Sequence, residues 1–214
     1  MWNSSKYDKR CPVRAGHDGR ESIIQAIEIF ALVTGIIYVV LEILQKNTMW
    51  VVGILTGAAC AFEFAVTHVW ASMALNLYYV AMSVVGLIQW KKASSQVAEG
   101  EIHLQKVSLR TGILSAVIMT AGAYVMSRIL MATGDPAPFL DAVAVMLSVV
   151  GTWWLAQSYL EQWFIWIVAD ILTTALCVKT GQYWMAALYL IYIGSAVYGY
   201  VHWKSRGKYV SLGE

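Results

Sequence analysis

Charged residues are scarce in this sequence. Of its 214 residues only 13% are Asp, Glu, Lys or Arg, whereas 59% are hydrophobic and the mean hydropathy is +0.59. Soluble domains carry about 25% charged residues. The scarcity excludes a soluble domain and predicts an integral membrane protein whose surroundings are the lipid bilayer. The net charge of +2 gives no indication of a nucleic-acid partner.

Metal-ligating and catalytic patterns are also missing. The three cysteines, Cys11, Cys60 and Cys177, form no CxxC or metal-binding pattern, so we interpret them as packing thiols. The four histidines form no HExxH motif and no His/Cys cluster. Neither a metal site nor another cofactor is therefore predicted, and no nucleophile–base pair at a recognisable spacing indicates an enzyme.

Apolar segments long enough to cross a bilayer dominate what is present. A span needs about 20 apolar residues, and seven segments qualify. All three prolines lie outside them, and the polar N-terminus lacks a signal-peptide cleavage site, so the first segment is interpreted as a retained helix. The predicted spans cover residues 22–44, 49–67, 70–90, 108–131, 139–157, 160–178 and 182–203.

The second half of the sequence resembles the first. The offset that brings Trp163 onto Trp50 also brings Gly199 onto Gly86, and we call it the repeat offset. Each span and its equivalent in the other copy are four spans apart. Because four is even, both copies run in the same direction, as in parallel-repeat transporters. We therefore predict an all-α membrane protein with seven transmembrane helices in a 3+1+3 parallel repeat, although chance matching among apolar residues is an alternative.

That repeat predicts five regions. A polar N-terminal tail (1–21) precedes a first three-helix bundle (22–90). A polar loop and linker helix (91–131) lead to a second three-helix bundle (132–203), and a C-terminal tail (204–214) follows.

The sixth span carries the sharpest candidate site. Trp163, Trp166, Asp170 and Thr173 are spaced by three and four residues, which places them on one helix face. A carboxylate in the middle of a membrane span costs at least about 2.5 kcal/mol without a partner. A packed structural partner, or a polar or cationic ligand, would each compensate Asp170.

Other candidates lie on the second, third and seventh spans. Asn76 and Tyr79 share one face, as do Tyr189 and Tyr192. They are interpreted either as pocket lining or as groups that form interhelical hydrogen bonds worth about 0.6 kcal/mol each. Glu63 is the second deep carboxylate, and an intramembrane ionisable residue is a functional candidate by default.

Two glycines stand opposite the aromatic and acidic residues of the sixth span. At the repeat offset, Gly53 replaces Trp166 and Gly57 replaces Asp170. They leave room for a ligand or allow close helix packing, and the two interpretations are compatible. An indole face beside a carboxylate suits a flat cation, because cation–π attraction is worth about 2 kcal/mol when desolvated.

These residues resemble the PnuC family of bacterial vitamin transporters over about residues 25–205. The motif residues that carry the resemblance are Ile27-Glu28, Gly35, Gly53, Ala71-Ser72, Gly86, Trp90, Asp141, Leu147-Ser148-Val149 and Tyr159-x-Glu161-x-Trp163-x-x-Trp166. The resemblance implies a fold similar to that of SWEET sugar transporters and a location in the bacterial inner membrane. It also implies facilitated diffusion of nicotinamide riboside, thiamine or riboflavin, with trapping by a cytoplasmic vitamin kinase; a homo-oligomer is left open.

The pocket positions set the expected substrate. The resemblance implies Asn at position 170, Gln at position 76 and Asn near position 56 for nicotinamide riboside, whereas this chain has Asp170, Asn76 and Thr56. An aminopyrimidine pairs with a carboxylate through two hydrogen bonds, so thiamine is the first expectation and nicotinamide riboside the alternative. An intramembrane enzyme and a sensor without transport activity are the rival classes.

Overall fold

The computed structural model describes residues 26, 29–30, 33–98, 100–134 and 137–210. The predicted N-terminal tail, Cys11 and the beginning of the first span lie outside these residues, as do residues 211–214.

The described chain is built from seven helices. Their bounds are α1 Val33–Ile43, α2 Thr48–Val66, α3 Trp70–Ser94, α4 Leu109–Thr133, α5 Pro138–Ala156, α6 Gln162–Lys179 and α7 Tyr183–Arg206. Within the described ranges, α2 to α7 are each long and apolar enough to cross a membrane, and α1 is a shorter apolar helix. The all-helical prediction is confirmed at this level.

Capping residues explain where α4 begins and ends and where α5 begins. Ser108 precedes α4, and its side chain accepts a hydrogen bond from the Thr111 backbone N–H at 3.1 Å, as a helix N-cap does. Gly134 ends α4 in the left-handed conformation, with φ 80°, which costs glycine nothing. Pro138 is the first residue of α5, where its missing N–H is not needed.

Two short strands correct the predicted loop and tail. β1, Ile102–Leu104, pairs in parallel with β2, Gly207–Tyr209, and all three β1 residues are buried. The Lys208 ammonium pairs with Glu101 at 2.5 Å beside the strands. A three-residue strand is too short to show a period of two, and its partner lies at the far end of the sequence.

His103 in β1 ties two helix–helix turns together. Gln45, in the α1–α2 turn, donates from Nε2 to the His103 carbonyl at 2.9 Å and accepts from its N–H at 2.8 Å. Ser158, in the α5–α6 turn, contacts His103 Nδ1 through its hydroxyl at 3.0 Å. Both turn residues have positive φ, 48° and 58°. The two turns therefore lie at the same end of the molecule.

Close tryptophan–glycine packing recurs at the repeat offset. The Trp50 ring covers Gly86, and the Trp163 ring covers Gly199. A Cβ atom at either glycine would overlap the indole. Both rings are almost completely buried, so α2 packs on α3 in the same way as α6 packs on α7.

Two further tryptophans connect the halves. The Trp90 indole N–H donates to the Leu155 carbonyl at 3.2 Å, and that of Trp203 is shared between the carbonyls of Glu42 at 3.3 Å and Ile43 at 3.0 Å. The repeat offset relates Trp90 to Trp203 and Leu155 to Glu42. Each bond runs from the last part of α3 or α7 to the end of α5 or α1 in the opposite half.

We expect Gly86→Ala and Gly199→Ala each to lower the free energy of unfolding by about 1–3 kcal/mol, because overpacking a filled core costs that much. Gly194→Ala is the control on α7, since nothing lies within 4 Å of a Cβ there. Thermal unfolding in detergent measures the three variants. A Gly86→Ala protein as stable as Gly194→Ala would contradict the packing.

His103 makes stability depend on pH. Burial lowers the pKa of His103 from 6.5 to about 4, so the unfolded chain binds more protons between those values and stability falls as the pH drops. From pH 7 to pH 5 we expect a loss of about 1–2 kcal/mol. Denaturant unfolding at both pH values measures it, and His103→Gln should remove this part of the pH dependence. An unchanged slope in the variant would exclude His103 as its source.

Candidate functional site

A cavity of about 360 Å³ lies between the helices, lined by residues of α1, α2, α3, α5, α6 and α7. Both halves of the chain therefore contribute polar and aromatic side chains to its wall. The buried tryptophan core around Trp163 and Trp203 lies at the end of the bundle that carries β1.

Nine of the ten predicted binding residues line this cavity. They are Thr56, Asn76, Tyr79, Trp163, Trp166, Asp170, Thr173, Tyr189 and Tyr192. The structure brings them together, and their role in binding stays a prediction.

Glu63 does not line the cavity, which corrects its predicted placement. Gly53, Thr56 and Gly57 are the α2 residues that do. Glu63 follows Thr56 by seven residues, so it lies on the same side of α2 but about 10 Å further along the helix axis. Its position along the helix, and not its direction, therefore keeps it out of the cavity wall.

The α6 face lies against the cavity as its spacing predicts. The Trp166 indole N–H is buried, and within the described ranges it has no hydrogen-bond acceptor. The Thr173 hydroxyl donates to the Ala169 carbonyl at 2.9 Å, so its hydrogen is already used within the helix. The Trp166 ring lines the cavity, whereas its unpaired N–H is buried in the wall, so a hydrogen bond from this N–H to a ligand stays a prediction.

Asp170 has no cationic neighbour in the cavity wall. Its side chain is 8% exposed and lies within electrostatic range of the Tyr189 and Tyr192 phenols. No lysine, arginine or histidine is among the described residues that line the cavity. The described part of the wall therefore offers Asp170 no cationic partner, and compensation by a ligand stays a prediction.

Gly53 and Gly57 serve both purposes predicted for them. Both line the cavity. A Cβ at Gly53 would lie 2.8 Å from Ser83 Oγ, and one at Gly57 would lie 2.9 Å from Val80 Cγ2. The glycines allow α2 to approach α3 closely and leave the space opposite α6 open.

Hydrogen bonds within the wall fix two of the polar candidates. The Thr56 hydroxyl donates to the Thr34 hydroxyl at 2.8 Å, which joins α2 to α1. The Asn76 amide N–H donates to the Ser72 carbonyl at 2.9 Å on its own helix. Asn76 therefore presents its side chain from α3 with one donor already satisfied.

Glu42 is a cavity residue that sequence reasoning missed. An acid two residues from the end of the first predicted span would ordinarily be solvated or cap the helix, but Glu42 is only 5% exposed and lines the cavity. Gly35, Tyr38, Val39 and Glu42 share that wall. Their spacing of three and four residues is the signal that could have identified the acid.

The comparisons with known proteins agree with this architecture. The sequence profile of the nicotinamide mononucleotide transporter family matches residues 25–205. The nicotinamide riboside transporter PnuC of Neisseria mucosa is 32% identical over 81% of this chain and 70% of its own length. The riboflavin/roseoflavin transporter RibM of Streptomyces davaonensis is 24% identical over 82% of this chain and 83% of its own.

A solved structure has the same fold. The crystal structure of the vitamin B3 transporter PnuC superposes with a TM-score of 0.65 at 25% identity, and the match covers 87% of this chain and 88% of that one. The relatives are transporters, and six long apolar helices among the described residues place this chain in a membrane. The chain therefore belongs to the nicotinamide mononucleotide transporter (PnuC) family and is a multi-pass protein of the bacterial inner membrane.

Proposed function

We propose that this protein is a passive carrier of a flat, positively charged vitamin and that the cavity is its binding site. The observation that supports this most strongly is Asp170, a buried carboxylate in a cavity whose described wall holds no cationic residue. The Trp166 ring lines the same cavity. An aromatic face and an anion together bind a planar cation better than a sugar or a neutral ring.

Nicotinamide riboside is the vitamin that we propose first. Relatives from Neisseria mucosa and Escherichia coli are named as its transporters, and its pyridinium ring is a flat cation. The comparisons thus favour this alternative over thiamine, the first expectation from the sequence. Thiamine remains the second candidate because Asp170 offers the two acceptor oxygens that an aminopyrimidine can pair with.

The proposed mechanism uses two three-helix bundles, α1–α3 and α5–α7, with α4 as the linker, in the 3+1+3 arrangement of SWEET-type transporters. The tryptophan–glycine contacts and the crossed indole bonds that recur at the repeat offset support such a repeat. Rocking of one bundle against the other around the cavity would expose the site to each side in turn.

Transport by this route needs no ion gradient or ATP. A cytoplasmic kinase that phosphorylates the vitamin would trap it after entry, because a phosphate adds charge that the Asp170 cavity repels.

The test is a binding titration of the purified protein with nicotinamide riboside, thiamine and riboflavin, followed by uptake into liposomes without an energy source. We expect the two cations to bind and riboflavin to bind weakly. Equilibration of labelled vitamin across the liposome membrane supports a carrier, whereas binding without uptake would indicate a sensor.

Asp170→Asn should weaken binding of thiamine by more than about tenfold, or about 1.4 kcal/mol, because it removes the anion that would pair with the aminopyrimidine and keeps the size. Glu63→Gln is the matched control: it makes the same change in a carboxylate that lies outside the cavity, and its affinity should equal that of the unmodified protein. Calorimetric titration measures all three proteins. Equal affinity in Asp170→Asn would remove Asp170 from the site.

Trp166→Ala should abolish most of the quenching of tryptophan fluorescence that the vitamin causes, because its ring lines the cavity. Trp184→Phe is the control, since Trp184 is 92% exposed at the beginning of α7. It should leave the quenching intact. Quenching that survives Trp166→Ala but disappears in Trp184→Phe would place the vitamin elsewhere.

A further inference from the structure

The cavity contains a second acid whose surroundings differ from those of Asp170. Glu42, on α1, is 5% exposed, and its side chain faces Gln162 of α6, which is completely buried. Gln162 Nε2 donates to Glu42 Oε1 at 3.4 Å. Asp170 lies within electrostatic range of Glu42, so two carboxyl groups share one poorly hydrated space.

The Gln162 amide is only half satisfied. Its carbonyl oxygen, Oε1, is buried and has no hydrogen-bond partner among the described residues. A buried acceptor without a donor costs about 1–3 kcal/mol. An ionised Glu42 offers only acceptors, whereas a protonated one offers an O–H donor. A proton on Glu42 would complete a cyclic acid–amide pair with Gln162.

The other groups around Glu42 supply no compensating positive charge. The titratable side chains in the wall are the phenols of Tyr38 on α1, Tyr79 on α3, and Tyr189 and Tyr192 on α7, together with Asp170 on α6. The described wall holds no lysine, arginine or histidine. Two like charges in one desolvated site oppose each other's ionisation, and one of them keeps its proton.

We propose that Glu42 is a proton-binding site of the carrier: held neutral by its hydrogen-bonded pair with Gln162, it leaves Asp170 as the only anion among the described residues that line the cavity. This deepens the proposed function and rests on it for the ligand. The cavity then carries one negative charge, which a ligand with a single positive charge neutralises completely. The proton stays on Glu42 when the ligand binds.

Infrared difference spectroscopy tests the proton without any ligand. At neutral pH the purified protein should show the carbonyl stretch of a protonated, buried carboxyl group. Glu42→Gln should lose that band, and Asp170→Asn should keep it. A protein without such a band, or a band lost in Asp170→Asn and retained in Glu42→Gln, would overturn the proposal. Where a variant fails to fold, a spectrum of the unmodified protein without the band still overturns the proposal.

Binding gives an independent readout. Because glutamine resembles a neutral acid in shape and charge, Glu42→Gln should bind the cationic vitamin within about threefold of the unmodified protein, whereas Asp170→Asn should lose more than about tenfold. A loss in Glu42→Gln as large as in Asp170→Asn would mean that Glu42 is a second anion and would overturn the proposal. Failure of every vitamin to bind, with the infrared band present, would instead reject the proposed function alone.

Discussion

The hydrogen bonds that Trp90 and Trp203 make across the molecule are the interaction on which the rest of the structure depends. Each indole belongs to the last helix of one half and donates to a carbonyl at a helix end in the other half. In a membrane such carbonyls find no water, so an unpaired one is costly. The two bonds therefore join the halves at the end where β1 and β2 pair.

A symmetric framework encloses an asymmetric wall. Trp50 and Trp163 pack on equivalent glycines, yet at the equivalent positions lining the cavity Gly53 stands where the other half has Trp166, and Gly57 where it has Asp170. Backbone positions match because both halves pack alike. The side chains differ because both halves line the same cavity. Small residues on one side create the volume that the aromatic and acidic residues on the other side line.

The sequence allows the helices and much of the wall to be predicted, because hydropathy determines which segments enter the membrane and helical spacing determines which residues share a face. That reasoning brought Trp166, Asp170 and Thr173 together correctly. It missed Glu42, although the spacing from Gly35, Tyr38 and Val39 was the signal, and it included Glu63, which lies on the Thr56 side of α2 but about 10 Å beyond Thr56 along the axis. It also missed β1, since the environment of His103 depends on turns that are far apart in sequence.

The charge of the cavity wall determines which ligand charge this carrier can move at the lowest free-energy cost. A neutral ligand leaves Asp170 buried as an unpaired anion, and a dication leaves an excess positive charge. A monocation leaves no unpaired charge. In a membrane an unpaired charge costs at least about 2.5 kcal/mol. With Glu42 neutral, as proposed, the loaded carrier is therefore the least costly to rearrange. The membrane potential supplies about 2.3 kcal/mol per charge for each 100 mV, so a monocation enters a cell with a negative interior favourably even through a passive carrier. Under the proposed function, Asp170 selects a monocation as cargo and the membrane potential gives its uptake a direction.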